Sequence, residues 1–330
     1  LQDCFPLLEL LAMVLNPHCK FNNYNANRPS GTVPTGSSFP DDSLFARPPD
    51  LRVPRGWLVD LVNRFGTIEG FQILYERFTN GRQLSVPVIA ALIRPFAQCA
   101  EVLTPQTVQK YFMPIMDIIQ TFLDRITDEQ LKKESQGEIK NDVVSSIIES
   151  LKQLLYRFPN KKERIKNLEI FQFKVIMRLM KISVFKWKMN ALNVLNTIIA
   201  NVSLHRYSQG SDDEWLTSDT LQKWIQENDV LSIILQDSLH QPQYVEKVEK
   251  ILQFMIKENV LSPHDLYQIW EAQQGKPNII VKNVEDLIAK LTSDFSVCHL
   301  DQYCECFQRS WACAPNKQRE KLLSFIRRLA

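Results

Sequence analysis

The chain has 330 residues, 45% of them hydrophobic and 23% charged, a balance that excludes wholesale disorder and supplies ample side chain for a core. Its 39 basic and 37 acidic side chains leave a net charge of +2, without the electrostatic footprint of a dedicated nucleic-acid binder. Charged residues interrupt every apolar run before it could span a bilayer, and seven cysteines at irregular positions form no disulfide framework, which points to a reducing compartment, the cytosol.

A first helix is predicted over 7–15, within an apolar run that begins at Phe5. Residues 16–54 are rich in Asn, Pro, Gly and Ser without an apolar period and read as an exposed or disordered loop. From Gly56 onward the signal is helical. Trp57, Leu58, Leu61 and Val62 define one short face and Phe71, Leu74, Tyr75 and Phe78 a second, punctuated by Gly66 and Gly70.

Longer helices are predicted near 86–102, 105–126, 140–157, 164–182 and 186–202, each with apolar residues at i, i+3, i+4 and i+7. In the last of these the face is Trp187, Ala191, Leu192, Val194, Leu195 and Ile198. Pro105 fits the first turn of its helix, whereas Pro95 and Pro114 are predicted to kink theirs. Short helices follow near 218–227 and 229–237. Paired helices then begin near Gln241, Pro277 and Pro315, about 36 to 38 residues apart, the period of two- and three-helix repeats.

Strand alternation is nearly absent and only nine glycines punctuate the chain. The expected fold is therefore all-α: an armadillo/HEAT-like α-solenoid of stacked helix pairs. Its expected organisation is a partial helical segment at 1–15, a loop at 16–54 and a repeat region from 55 to 330. The chain opens on Leu1 rather than methionine, and the helix carrying Leu322, Leu323, Phe325 and Ile326 meets no Gly or Pro stop before Ala330. The sequence thus reads as a piece of a longer protein, with the repeat continuing beyond it.

Candidate chemistry is sparse. Cys298, His299, Cys304, Cys306 and Cys313 are the right ligand types for zinc, but a structural site pairs its ligands across a loop. These fall along one helix whose stripe is Leu300, Tyr303, Cys304, Phe307 and Trp311, with Cys304 as a small buried hydrophobe and Cys306 facing sideways. A thiol nucleophile needs a His and an orienting Asn or Asp. His240 instead ends a short helix as a dipole partner, and His18, His205, His264 and His299 lie in or beside loops.

No phosphate-cradling glycine loop occurs. Asp212, Asp213 and Glu214 lack the alternation of a metal loop and suit a helix N-terminus. The basic runs at Lys161, Lys162, Arg164 and Lys166 and at Lys317, Arg319 and Lys321 read as solvated helix faces. Asn201, Val202 and Ser203 match a glycosylation pattern but end an apolar helix. What remains is surface. Of six tryptophans, at 57, 187, 215, 224, 270 and 311, Trp57, Trp187 and Trp311 continue apolar stripes, while Trp215 and Trp270, beside polar segments, are the better partner anchors.

Several strings carry a resemblance: GWLVDLVNRFG at 56–66, AALIRPFAQC at 90–99, KNLEIFQFK at 166–174, KMNALNVLN at 188–196, EWLT at 214–217, SLHQPQYVEKVEKIL at 238–252, VKNVEDLIAKL at 281–291 and KQREKLLSFIRRLA at 317–330. In this order they resemble the N-terminal armadillo-like region of the fat facets and FAF-X family of very large ubiquitin-specific proteases. The resemblance implies a cysteine-type deubiquitinase whose Asn-x-Gly-x-Thr-Cys box and later His box lie elsewhere. Neither box occurs in this sequence, so no catalytic, cofactor-binding or metal-binding residue carries over. The implied role is a non-catalytic scaffold whose partners are protein substrates or regulators of ubiquitin removal and the rest of the enzyme, with no nucleic acid, membrane span or cofactor. The alternative is a free-standing armadillo-like adaptor without enzymatic activity.

Overall fold

The computed structural model describes residues 5–16, 45–46, 56–80, 84–130, 143–158, 161–182, 184–205 and 215–329. It divides into two compact units, Leu1–Gln172 and Phe173–Ala330.

In the first unit α1 is Phe5–Leu15, α2 Gly56–Thr67, α3 Gly70–Thr79 and α4 Val86–Gln98. The helix predicted over 86–102 stops at Gln98, and a separate 3-10 turn, Ala100–Val102, completes it. Pro95 lies buried inside α4. The next helical run opens with an α turn, Pro105–Thr107, passes through a π-helical stretch, Val108–Phe112, and continues as α5, Met113–Arg125. The wide turn has a local cause. Pro114 lacks an N–H and its ring crowds the carbonyl four residues earlier, and an expanded turn relieves both. Thr104 caps the run, its hydroxyl accepting from Thr107 N–H at 3.2 Å. Then come α6, Val143–Leu155, and α7, Lys161–Lys181, within which the boundary between units falls.

Helices α1, α4 and α6 lie side by side, and α3 packs on α2 and α5. Ile93, Ile147, Ile148 and Leu151 have 0–1% exposure at the α4–α6 contact. Between α6 and α7, the half-buried Lys152 amine donates to Gln172 Oε1 at 2.7 Å and faces Glu169 at 3.6 Å. Phe71 centres an aromatic cluster, with Phe65, Phe96, Tyr111 and Phe112 at 5.0–5.9 Å between ring centroids.

Two residues depart from the expected loop at 16–54. Ala46 forms an isolated antiparallel bridge with Leu103 and is fully buried, and the Phe45 ring stacks on Phe71 at 5.5 Å. Apart from Asn16, the remainder of 16–54 lies outside the described residues.

In the second unit α8 is Phe185–His205, α9 Ser218–Glu227, α10 Val230–Leu235, α11 Pro242–Lys257, α12 Pro263–Glu271, α13 Asn278–Leu291, α14 Val297–Cys313 and α15 Asn316–Leu329. Starts are encoded locally. Pro242 and Pro263 occupy first-turn positions, and Thr217 accepts from Thr220 N–H at 3.2 Å. Ser262 with Asp265 and Ser296 with His299 close reciprocal capping boxes.

The helices form two rows. One runs α8, α11, α13, α15 and the other α10, α12, α14, each helix touching the next in its row. Alternate helices join the same row, so α11, α13 and α15 each begin a repeat, at Pro242, Asn278 and Asn316, as the spacing predicts. On the neighbouring α11 and α13, Val248, Ile251, Leu252, Val284, Leu287, Ile288 and Leu291 are buried at 0–1% exposure. This is the all-α stacked-pair architecture expected from sequence.

Candidate protein-binding surface

Polar rungs tie each row together. Asn196 on α8 donates to the Lys247 carbonyl at 3.1 Å, Asn283 on α13 to the Leu239 carbonyl at 2.8 Å, and Lys290 on α13 to Glu249 on α11 at 2.9 Å. Lys321 on α15 reaches Asn278 Oδ1 at 3.1 Å. In the other row Trp270 Nε1–H donates to Ser310 Oγ at 2.8 Å, and Gln222 on α9, outside both rows, donates to Glu258 at the end of α11 at 2.8 Å. These groups fix helix against helix.

The turn between α10 and α11 is the most elaborate junction. Ser238 adopts φ 69°, its hydroxyl donates to Asp237 Oδ1 at 2.7 Å, and the Lys188 amine from α8 donates to Asp237 Oδ2. Tyr244 O–H reaches back to the Ile234 carbonyl at 3.0 Å, where burial pushes the phenol well above its usual range. The Lys188 and Ser238 hydrogen bonds hold the Asp237 carboxyl below the usual carboxylate range. A carboxyl depressed in the folded state contributes stability that is present above its unfolded pKa and lost as pH falls through the folded one. Since Asp237 is half exposed, Asp237→Asn is expected to remove on the order of 1 kcal/mol at neutral pH. Urea unfolding should show that difference vanish below the folded pKa, and an undiminished difference there would contradict the pairing.

The sequence candidates fall as follows. Trp270, expected as a partner anchor, is 1% exposed and belongs to the core; Trp57, expected to pack, is 38% exposed. Trp187 is buried as expected. Trp215 and Trp224 flank Phe173 at 6.5 and 4.4 Å. Trp311 is half-buried, stacked on Phe307 at 6.0 Å and covered by the Arg319 guanidinium at 5.4 Å.

On α14 the cysteine roles are exchanged: Cys306 is buried with Tyr303, while Cys304 is exposed. The inward face is the buried Tyr303 and Cys306 with the half-buried Phe307 and Ser310, one position round the helix from the expected stripe. Among the described residues no group of three or more His, Cys, Asp or Glu could hold a metal ion. His299 is the third residue of its helix, its Nδ1 accepting from Ser296 N–H at 3.4 Å, and His264 lies in α12 against Gln268. His240 sits in a turn beyond α10 rather than at a helix end. His205 ends α8, while His18, Asp212, Asp213 and Glu214 lie outside the described residues.

The thiols differ sharply. Burial pushes Cys99 up to about 12 and raises Cys306 as well, whereas Cys298, Cys304 and Cys313 are exposed. Native-state alkylation read by peptide mass spectrometry should modify these three within minutes and leave Cys99 and Cys306 protected by at least tenfold in rate. Equal labelling of all five would contradict the packing.

Two surface features remain in the second unit. A cleft of about 340 Å³ opens beside the α12–α13 turn, lined by Gln273, Lys276, Val281, Pro315, Lys321 and Leu322 among others. On the outer side of α12 and α14, Tyr267 is 42% exposed, and the charge of Glu271 raises its phenol while the Arg309 charge opposes that shift. Arg309 also pairs with Glu305 at 3.5 Å. Tyrosine and arginine are among the residue types that anchor protein interfaces. No helix among the described residues is long and apolar enough to cross a membrane.

The family model described as the UBP24/USP9X/USP9Y ARM repeat matches residues 166–330. The chain belongs to the UBP24/USP9X/USP9Y ARM-repeat family. The two-row stack is accordingly an armadillo repeat, and the family resemblance seen in the sequence holds. The chain is 59% identical to ubiquitin carboxyl-terminal hydrolase 9X of Mus musculus and 57% identical to ubiquitin carboxyl-terminal hydrolase 9Y of Homo sapiens, in both cases over 100% of this chain. Identity to the probable ubiquitin carboxyl-terminal hydrolase FAF of Drosophila melanogaster is 43% over 98% of it. The chain spans only 13% of the length of each of these relatives. Within the ARM-repeat family, the chain thus corresponds to a segment of proteins named as ubiquitin hydrolases.

Proposed function

We propose that the chain is a non-catalytic helical-repeat arm of a large cysteine-type ubiquitin-specific protease, working in the cytosol, that supports the enzyme and presents surface to its protein substrates or regulators. The observation that carries this reading is the division of labour on the second unit. Polar rungs and buried aromatics are committed to stacking, while Tyr267, Arg309 and the cleft beside the α12–α13 turn face outward on helical elements.

Holding a ubiquitylated partner beside a distant active site raises its effective concentration, so cleavage accelerates without new chemistry in this segment. Small exposed patches of mixed charge suit folded protein partners rather than nucleic acid. In the parent enzyme, the pair Tyr267→Ala and Arg309→Glu should lower kcat/KM for at least one native ubiquitylated substrate about tenfold, roughly the loss of one interface anchor. Cleavage of a small generic ubiquitin conjugate should stay unchanged. Unaltered rates on every native substrate would count against this surface.

The isolated chain should also form no adduct with a ubiquitin probe carrying a thiol-reactive C-terminus. Covalent labelling of one of its cysteines would reveal chemistry that this reading denies.

A further inference from the structure

Phe45 and Ala46 are held in the first unit as a peptide ligand is held. Their main chain is captured at four points: Phe45 N–H and Ala46 N–H both donate to Asn63 Oδ1, at 3.1 and 2.8 Å, and the Phe45 carbonyl accepts from Thr104 N–H at 3.0 Å and from the Thr107 hydroxyl at 2.9 Å. The Ala46–Leu103 bridge is a single rung of antiparallel β pairing. None of these contacts reads a side chain, so any extended segment could make them.

Side-chain selection rests on two seats. The Phe45 ring lies on Gly66, where an added Cβ would come within 2.1 Å of it, and is walled by Phe71 at 5.5 Å and Tyr111 at 6.3 Å. Ala46 is fully buried, at 0% exposure, so a polar or charged residue in its place would be desolvated. Asn63, itself 8% exposed, presents its carbonyl oxygen to the bound backbone from a buried position.

We infer that this groove is a recognition site for an extended aromatic–small dipeptide, occupied in cis by Phe45–Ala46, and that it accepts the same motif from a partner protein when the tethered segment is displaced. The inference goes beyond the proposed scaffold role and does not depend on it. A tethered ligand competes at an effective concentration in the millimolar range, so a free peptide should bind weakly until the tethered aromatic is removed.

The test is fluorescence polarisation of a labelled peptide with the sequence of residues 41–49, Asp-Asp-Ser-Leu-Phe-Ala-Arg-Pro-Pro, titrated with the 330-residue chain. The expected result is binding to Phe45→Ala at least tenfold tighter than to the unsubstituted chain, abolished when Gly66→Leu fills the seat in the same background. A folded Phe45→Ala chain that binds no peptide, or binding that survives Gly66→Leu, would overturn the inference.

Should Phe45→Ala fail to fold, protease sites inserted after residues 40 and 50 excise the segment from the otherwise unsubstituted chain. The excised peptide should then remain bound and be displaced by excess free peptide, but not by its Phe-to-Ala analogue. Displacement by both peptides alike, or by neither without unfolding, would show Phe45–Ala46 to be ordinary core.

Discussion

Phe71→Ala is expected to lower the unfolding free energy by about 3–5 kcal/mol, the usual range for truncating a buried aromatic residue. Phe71 is 1% exposed and its ring contacts five others, Phe45, Phe65, Phe96, Tyr111 and Phe112. Those rings come from α2, α4, the π-helical stretch and the bridged segment, while Phe71 itself is on α3, so the cavity cannot close by a shift of one element alone. Urea titration followed by circular dichroism provides the measurement. A change below about 1 kcal/mol would mean that the cluster collapses onto the vacancy and is not a rigid hub. Phe71→Leu, which keeps most of the apolar volume, should recover a substantial part of the loss.

Trp270→Ala should be comparably severe in the second unit, about 3–5 kcal/mol. Trp270 heads the largest fully buried side chains, packs edge-on to Tyr303 at 5.2 Å and lies 6.3 Å from Phe325, thereby joining α12, α14 and α15. Its N–H also satisfies the Ser310 hydroxyl, whose truncation separates the two contributions. Ser310→Ala leaves a buried indole donor unpartnered and should lose about 1–3 kcal/mol. Trp270→Phe keeps much of the ring but not the donor, and should fall between Ser310→Ala and Trp270→Ala. If Trp270→Ala proved as mild as an exposed substitution, the side chain would instead face solvent, where the polar segment beside it had suggested a partner contact.

The sequence was most legible where one apolar stripe met one partner. The helices α7, α8 and α9 lie within a few residues of their predicted bounds and α11 begins beside its predicted start, because i, i+3, i+4 spacing acts locally, as do Thr217 before α9 and Pro242 in α11. The near-regular starts of α11, α13 and α15 revealed the repeat for the same reason. Phase was less secure. On α14, Leu300, Tyr303, Cys304 and Phe307 form as good a stripe as Tyr303, Cys306, Phe307 and Ser310, and only the neighbouring helices decide which is buried.

Trp270 shows a related ambiguity. Leu266, Ile269, Trp270 and Gln273 make a buried face, yet the glutamines that follow imitate a solvent edge. Trp57 errs the other way, since Leu58, Val59 and Val62 complete the buried face of α2 without it. The capture of Phe45–Ala46 left no periodic trace at all. It depends on Asn63, Thr104 and Thr107, which lie 17 to 62 residues away in sequence and converge only after α2 and the π-helical stretch have packed. The outward-facing Tyr267 and Arg309 were likewise silent, because an exposed side chain obeys no pattern.

In the role proposed for it, this helical array contributes surface rather than chemistry to ubiquitin removal. The most direct test of that role is deletion of the segment from the parent enzyme with the catalytic domain kept intact, followed by parallel rate measurements on a generic ubiquitin conjugate and on native ubiquitylated proteins. The account predicts an unchanged rate on the generic conjugate and a loss of about tenfold or more on selected native substrates, as expected when tethering is removed. Native substrates processed at undiminished rates, or a generic conjugate no longer cleaved by a folded catalytic domain, would contradict it.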